Sequence, residues 1–457
     1  MSRFSARSFA LMVSALLLGT LGTVGAIPGA RAATFLVTSC TDGGTGSLRA
    51  AAAAANSGDT LDLRGLACNQ ITLTSGAIAI TDQSITIVGA GESRIRIDGN
   101  RNGRVFTHAG TWPEGSNATL TLRNLTVQNG LVVGTNPGGG CINSARHVRL
   151  EHVHLRYCTV RTENPNIRST YGGGVRADGN VYLLHSAVYG NRAEQAGDGG
   201  GVLVGGDNLL HIDHSTIHDN YSGDRAGGAG AGRIFMTYST IRDNVSENIS
   251  GGIEGGSYAG PHVINKSTIS GNVSNRIAGL GFFGGQLLIS DSTISGNDAF
   301  FTPAGVWLEG RGAPITVRNS TITDNTAVEA FGLTAAGVDE YGSITWQSTI
   351  IANNFLAGAP SDLWVLLSGG GPGPAVGSDN LIEQCNTSLP SDTIRADPRL
   401  APLANNGGRT QTHAFLEGSP AIDAGNNNAG YAFDQRGEGF PRVVNGRADI
   451  GAFEQQD

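Results

Sequence analysis

The chain has 457 residues, of which 69 are Gly and only 15 are Pro, with 15% charged residues and a net charge of −8. This charged fraction lies below the roughly 25% of ordinary domains. Together with abundant Gly and scarce Pro, it favours a turn-rich folded protein over a disordered or collagen-like chain. The acidic balance, without any basic stripe, excludes nucleic acid as a partner.

Residues 1–32 have the pattern of a secretory signal peptide. Arg3 and Arg7 precede a short apolar run at residues 9–21, and Ala30 and Ala32 frame an A-x-A cleavage site. The apolar run is too short for a membrane span. We therefore predict a secreted, cell-surface or periplasmic protein that has no membrane span after the signal is removed.

Residues 33–118 are predicted to form an N-terminal cap and the first, irregular coils of the fold. The alanine-rich stretch at residues 47–56 is the best helix candidate in the chain, and we expect it to cover one end of the molecule. Export permits disulfides. Cys40 with Cys68, and Cys141 with Cys158, are the natural local pairings, which leaves Cys385 over. Small buried thiols are the alternative, because sequence does not fix connectivity.

Residues 119–365 contain an internal repeat, Ser-Thr-Ile-x-x-Asn, at steps of 24 to 29 residues. Its serines are Ser186, Ser215, Ser239, Ser267, Ser292, Ser320 and Ser348. Two residues after each serine stand Val188, Ile217, Ile241, Ile269, Ile294, Ile322 and Ile350. Five residues after each serine stand Asn191, Asn220, Asn244, Asn272, Asn297, Asn325 and Asn353. A small-Gly-apolar triplet precedes each unit and ends at Cys141, Val175, Val202, Ala229, Ile253, Leu280, Val306 or Val338.

Each unit therefore has at least three short alternating stretches separated by Gly, Asn and Ser, which indicates strands and corners. The unit is too short for a propeller blade and lacks the 3.6-residue period of a helical repeat. One turn of a right-handed parallel β-helix fits. Coils stacked about 4.8 Å apart place the isoleucines in one buried column and the asparagines in a hydrogen-bonded corner ladder. The fold class predicted is all-β, a solenoid with an N-terminal cap.

Residues 366–457 lose the repeat and are predicted to form a non-repetitive C-terminal domain. They contain Asp-Pro-Arg-Leu at residues 397–400, Leu-Ala-Asn-Asn-Gly-Gly-Arg-Thr-Gln-Thr-His at 403–413 and Gly-Ser-Pro-Ala-Ile-Asp-Ala-Gly at 418–425. Asp-Ile-Gly-Ala-Phe-Glu follows at 449–454. This segment resembles the Q-type choice-of-anchor domain that closes many bacterial right-handed β-helix proteins. The head, Thr-Phe-Leu-Val-Thr at residues 34–38, looks like the start of the same proteins, which are related to polymorphic outer-membrane-type repeat proteins. The resemblance implies an exported, often surface-displayed β-helix, and implies no reaction.

A carboxylate face is the strongest candidate for chemistry. The position after each small-Gly-apolar triplet is occupied by Ile142, Arg176, Leu203, Gly230, Glu254, Gly281, Trp307 and Asp339. These side chains should point outward, opposite the buried column. Glu309 and Asp339 would lie diagonally on adjacent coils, roughly 7–8 Å apart, a separation that suits an inverting glycosidase. Trp307 and Glu254 would bind the sugar. The alternative is a solvated acidic face with no reaction.

A second column offers a weaker candidate, a calcium site. Asp219 and Asp243 directly precede their corner asparagines, and adjacent coils should bring the two carboxylates near each other. Exposed corner aspartates are the alternative, because Gly271 and Gly296 continue the column without further ligands. The histidines, including His185 and His214, occupy what looks like an ordinary polar corner. No other cofactor is expected.

Two hypotheses about function follow. The first is an exported β-helix that serves as a binding or structural module and contacts glycans or other cell-surface components, because a rigid solenoid with variable loops is a suitable platform. The second is a polysaccharide hydrolase or lyase that uses the face carrying Glu309 and Asp339. Whether the protein is an enzyme stays open, with the balance towards a binding module.

Overall fold

The computed structural model describes residues 32–456, apart from residue 82 and residues 111–116, 165–169, 331–333, 342–343 and 367–373. Residues 1–31, and with them nearly all of the predicted signal peptide, lie outside the described residues. The described chain is a right-handed parallel β-helix of about 12 turns, as the repeat predicts. Within these ranges no helix is long and apolar enough to cross a membrane.

Three sheets run along the solenoid, and their strands are parallel except for one antiparallel pair at the end of the third sheet. Within the described residues, the first sheet contains 23 strands, the second 11 and the third 10. One coil passes through the second sheet, then through two consecutive strands of the first sheet, and then through the third. Inward-facing side chains of the first and second sheets form one continuous apolar core that extends from Val37 to Ile382. Ala299 and Ala327 of the third sheet belong to a separate small apolar cluster with Ala278, Ala304 and Ala336.

The strands of the first sheet are Thr34–Leu36, Thr60–Asp62, Gln70–Thr72, Ile85–Val88, Arg96–Asp98, Thr119–Gln128, His147–Arg156, Val181–Leu184, Ala187–Tyr189, Leu209–Asp213, Thr216–His218, Arg233–Thr237, Thr240–Arg242, His262–Asn265, Thr268–Ser270, Leu287–Ser290, Thr293–Ser295, Ile315–Arg318, Thr321–Thr323, Ile344–Gln347, Ile350–Ala352, Val376–Ser378 and Leu381–Ile382.

The strands of the second sheet are Ile78–Thr81, Phe106–Ala109, Ile142–Ser144, Val175–Ala177, Val202–Val204, Ala229–Ala231, Ile253–Gly255, Leu280–Phe282, Val306–Glu309, Val338–Tyr341 and Leu363–Leu366. Those of the third are Leu131–Val133, Thr159–Arg161, Arg192–Ala193, Tyr221–Ser222, Val245–Ile249, Val273–Arg276, Asp298–Phe301, Thr326–Glu329, Phe355–Leu356 and Ala359–Pro360. Thr170–Tyr171 and Gly197–Asp198 form a separate pair.

The N-terminal end carries the predicted helix, which spans Leu48–Ala54. The hydroxyl of Ser47 accepts a hydrogen bond from the Ala50 N–H at 3.1 Å and so caps the first turn. Leu48 and Ala52 are buried against the first coils. Both predicted disulfides are confirmed: Cys40 bonds to Cys68, and Cys141 bonds to Cys158.

The predicted asparagine ladder is confirmed for its first six members. The side-chain oxygen of Asn191 accepts from the Cys158 N–H, and each later oxygen accepts hydrogen bonds from the asparagine of the preceding coil. From Asn220 to Asn244, for example, the backbone N–H donates at 3.1 Å and the amide Nδ2 at 2.9 Å. The last member is wrong by one residue, because Asn325 pairs with Asn354 and not with Asn353. Thr349 and Ile351 likewise replace Ser348 and Ile350 in their columns. The buried Trp346, which pairs with Val317, occupies the core position and fixes this register.

The C-terminal segment folds back along the outer face of the first sheet. Strand pairing with this sheet continues to Ile382, beyond the last sequence repeat. After residue 397 the chain contacts successive coils: Thr268 donates to the Gln411 carbonyl at 2.7 Å, and Ser295 contacts His413 at 2.8 Å. Ile350, Ala352 and Leu381 form a small second core with Ala421 and Ile450. The C-terminal domain is thus packed against the last coils of the solenoid.

Candidate functional site

A groove crosses the outer face of the second sheet where outward positions lack side chains. Gly230, in the strand Ala229–Ala231, and Gly232, directly after that strand, both lie on this face. Gly256 occupies the position equivalent to Gly232 on the next coil. Glycine at these positions leaves a floor of bare backbone. The resulting cavity encloses about 430 Å³, within the roughly 300–1,000 Å³ of small-molecule sites.

One wall of the groove carries charged side chains from three successive coils. Asp198 and Arg225 are paired residues in adjacent coils, one or two positions before the glycines that turn into the second sheet. Glu254 follows on the third coil and forms an ion pair with Arg225 at 2.6 Å. The Ser250 hydroxyl donates to the Glu254 carboxylate at 2.9 Å.

Burial changes the acidity of both carboxyl groups in this wall. It raises the pKa of Asp198 to about 6, with a further rise from the nearby carboxylate of Asp224. Burial likewise raises the pKa of Glu254, although Arg225 opposes the rise. Oδ1 of Asp198 is buried and has no hydrogen-bond partner among the described residues. At neutral pH, the groove therefore contains a weakly acidic carboxyl group beside an ion pair.

The opposite wall combines an aromatic ring with a second ion pair. Phe283 is half-buried at the edge of the groove, and the Arg225 guanidinium lies 6.0 Å from its ring centre. Arg311 also lines the groove and binds the Glu309 carboxylate through two nitrogens, at 2.7 and 3.2 Å. Glu309 is therefore held at the rim of the groove by a charge pair.

Trp307 stands beyond this wall and does not offer a free ring face. Tyr341 stacks on it with ring centres 4.4 Å apart, and Phe283 lies on its other side at 6.4 Å. The strand register pairs Trp307 with Asp339 and Glu309 with Tyr341. The aromatic side chains therefore extend the groove along the solenoid axis as a continuous apolar strip.

The structure places Asp339 diagonally from Glu309 on the adjacent strand, as the repeat predicts, but solvent does not reach it. The side chain is fully buried because the chain leading into its strand turns over it, and the Ala335 N–H donates to its carboxylate at 2.7 Å. This burial raises the pKa of Asp339 well above its usual range. The expectation of an exposed carboxylate pair is therefore wrong for Asp339.

The outward column also begins one residue later than predicted. Asn143 pairs with Arg176, whereas Ile142 pairs with Val175 and belongs to the buried column. The reason is that Cys141 is already buried and joined to Cys158 before the strand begins. Gly230, Glu254, Gly281 and Trp307 keep their predicted places.

Asp219 and Asp243 occupy equivalent left-handed corner positions, with φ of 53° at both. Each carboxylate contacts its own neighbour in the chain: His218 at 2.5 Å for Asp219, and Arg242 for Asp243. Gly271 continues the column without a ligand. Calcium binding by this pair stays a prediction.

Among the groove residues that the repeat analysis does not single out are Asp198 and Arg225. Both stand four residues before the apolar end of a small-Gly-apolar triplet, in the loops that vary most in length. The sequence nevertheless contains a pattern that could have identified them. An acidic and a basic residue occupy equivalent positions in successive coils, and both lie next to a row of glycines. Such a pattern indicates charged side chains that converge beside a surface formed by glycine backbone.

A comparison with known protein families agrees with this architecture. Residues 151–358 match the family model described as a right-handed β-helix region. One similar solved structure is the crystal structure of pectate lyase Pel9A, with a TM-score of 0.41 and 14% sequence identity over 94% of this chain and 98% of that one. No curated protein matches the sequence. The chain is a right-handed parallel β-helix protein with a polar groove on its second sheet.

Proposed function

We propose that this is an exported binding protein of the cell surface or its surroundings, and that it binds a glycan chain in the groove of the second sheet. The observation that carries the proposal is the bare glycine floor between the wall of Asp198, Arg225 and Glu254 and the apolar edge of Phe283. Sugar hydroxyls accept from and donate to paired guanidinium and carboxylate groups, and sugar C–H faces pack on aromatic rings.

The groove also suits a chain better than an isolated sugar. It is open along the solenoid axis, where the strip of Phe283, Trp307 and Tyr341 continues it over adjacent coils. Coils spaced about 4.8 Å apart repeat similar contacts along an extended ligand. A polymer can therefore contact several coils at once, which a short ligand cannot.

Placing a large side chain on the glycine surface of the groove tests this proposal. A Cβ atom added at Gly230 would first meet Leu203 Cδ1 at 3.1 Å and Ala226 Cβ at 3.2 Å, so these neighbours need to move only a few tenths of an ångström to admit it. We expect Gly230→Phe to lower the affinity for a glycan identified on an array by on the order of tenfold or more, because the ring takes the ligand's volume. Titration calorimetry measures the change.

Gly43→Phe is the matched control, because Gly43 is remote from the groove and a side chain there meets nothing within 4 Å. Glu254→Gln, which removes the charge and keeps the shape, should weaken binding as well. Unchanged affinity in Gly230→Phe and Glu254→Gln, or no binding to any acidic or neutral polysaccharide, would overturn the proposal.

A polysaccharide hydrolase or lyase is the second candidate, and one observation favours it. A carboxyl group with a pKa of about 6, as burial gives Asp198, stays partly protonated near neutral pH and can act as a general acid. Glu254 would be its partner across Arg225. The pair first predicted, Glu309 and Asp339, fits less well, because Asp339 is fully buried.

Release of reducing ends from a bound glycan tests this candidate. If Asp198 is the acid, activity falls as the pH rises through about 6, and Asp198→Asn and Glu254→Gln each abolish it while Glu309→Gln retains it. Loss of activity only in Glu309→Gln and Asp339→Asn would transfer the chemistry to the originally predicted pair. Binding without any release would exclude the enzyme and keep the binding module.

A further inference from the structure

A column of aromatic side chains marks one corner of the first sheet. One corner residue of each coil has a left-handed backbone, with φ between 43° and 52°. His152 lies within the long strand His147–Arg156, and the others lie between the two first-sheet strands of their coil: His185, His214, Tyr238, Lys266, Asp291, Asn319 and Ser348. The first four rings stack at the coil spacing, with centres 4.9, 4.9 and 5.0 Å apart. The fold itself therefore holds three histidines in register.

The C-terminal domain covers one end of this column and leaves the other open. It reaches as far as Tyr238, whose ring lies against Gly437, and covers Lys266 and the residues that follow. His185 is exposed and His214 is half-buried beside a cavity that Arg409 and Glu438 also line. The histidine end of the column is thus open to solvent at the edge of the C-terminal domain.

Asp213 completes a cluster with two of these histidines. It is the last residue of the strand Leu209–Asp213, and its side chain points outward next to the corner. One carboxylate oxygen accepts from the Thr237 hydroxyl at 2.5 Å, and the other lies 2.9 Å from Nδ1 of His214. One ligand atom each from His185, Asp213 and His214 lies within 4.8 Å of the others.

We propose that His185, Asp213 and His214 bind a divalent transition metal ion of the zinc class at the open end of this corner. Two imidazole nitrogens and one carboxylate oxygen are the ligand set of open zinc sites, in which water takes the fourth position. Ligand atoms around tetrahedral zinc are roughly 3.4 Å apart. The 2.9 Å contact between Asp213 and His214 therefore needs only a slight opening, and the exposed His185 ring rotates inward.

The surroundings of the cluster hold the Asp213 carboxylate in one orientation. The Thr237 hydroxyl orients Asp213 from behind, as partners of metal-binding carboxylates do. Arg409 is the cation that faces the cluster from the C-terminal domain, and it acts against the metal.

Titration of zinc chloride into protein prepared without a histidine tag tests the site. We expect one zinc ion per chain, with affinity reduced on the order of tenfold or more in His214→Ala and in the nearly isosteric Asp213→Asn. Arg409→Gln should strengthen binding severalfold, because it removes a facing positive charge. Calcium and magnesium should not bind, because nitrogen ligands disfavour them.

His211→Ala is the matched control, because His211 lies on the same strand as Asp213 but outside the cluster. Its zinc affinity should equal that of the unaltered chain. Circular dichroism and a cooperative unfolding transition confirm that each variant folds. Failure of the unaltered chain to bind zinc, or binding that His214→Ala and Asp213→Asn leave unchanged, would overturn the assignment. The result is independent of glycan binding in the groove.

Discussion

Replacing Lys266 by Met is expected to lower the free energy of unfolding by about 3–5 kcal/mol, the effect of leaving a buried charge without its partner. Lys266 is the single lysine of the chain, and its ammonium group is almost fully buried. It donates to the carbonyl oxygens of Phe433 and Asp434 and lies 3.4 Å from the carboxylate of Asp291. Met fills a similar volume but satisfies none of these groups.

The loss should depend on pH. Burial raises the pKa of Asp291, and Lys266 is the strongest charge that opposes this rise, ahead of Arg442. Without Lys266, the pKa of Asp291 should therefore rise further. A carboxyl group whose folded pKa is raised stabilises the protein most at low pH, and this contribution is lost as the pH rises through the folded pKa. The deficit of Lys266→Met should therefore be smaller near pH 5 than near pH 8.

Urea unfolding at both pH values, followed by circular dichroism, measures the effect. The control is the double variant Lys266→Met with Asp291→Leu, which removes both charges and should recover most of the lost stability. A single-variant loss below about 1 kcal/mol, or a double variant no more stable than the single one, would show that this ion pair does not hold the C-terminal domain on the solenoid.

The regular coils are predictable from sequence because their contacts repeat at nearly constant spacing. Each Ile or Asn of a column contacts the same residue type in the adjacent coil, so the sequence repeat directly predicts the tertiary contacts. The register slips only where that pattern is ambiguous. Ile350 is followed by Ile351, and Asn353 by Asn354, so two alignments fit the last coil equally well until Trp346 takes its place in the core.

The docking of the C-terminal domain is not predictable in the same way. Its residues have neither a period of two nor one of 3.6, and they contact coils more than 100 positions earlier in the chain. The candidate groove is partly predictable from sequence, less so than the regular coils and more so than the docking of the C-terminal domain. Glu254 is found because its column is regular, whereas Asp198 and Arg225 lie in variable corners, and the burial of Asp339 depends on how one loop folds over its strand.

Interrupting the asparagine ladder should have an effect of similar size. Asn244 is fully buried; its oxygen accepts from the N–H and the amide of Asn220, and its amide donates to the Ile217 carbonyl and to Asn272, each at 3.0 Å. In Asn244→Ala, the backbone N–H of Asn220 and the carbonyl of Ile217 lose these partners in a dry interior. Each unsatisfied group costs about 1–3 kcal/mol, so for the two groups we expect a loss of about 2–6 kcal/mol.

The shape of the unfolding curve tests the ladder further. In a solenoid, coils are stabilised by their immediate neighbours, so a weak interface in the middle uncouples the two halves. Asn244→Ala should therefore unfold over a broader range of urea concentration, or in two steps. The control is Asn265→Ala, which removes a half-buried asparagine in the next coil. This control should change the free energy of unfolding by less than about 1 kcal/mol and keep one transition. A single sharp transition of unaltered midpoint in Asn244→Ala would mean that backbone pairing alone joins the coils. Two transitions would show that the amide ladder transmits cooperativity along the solenoid, because no apolar contact of the core is changed.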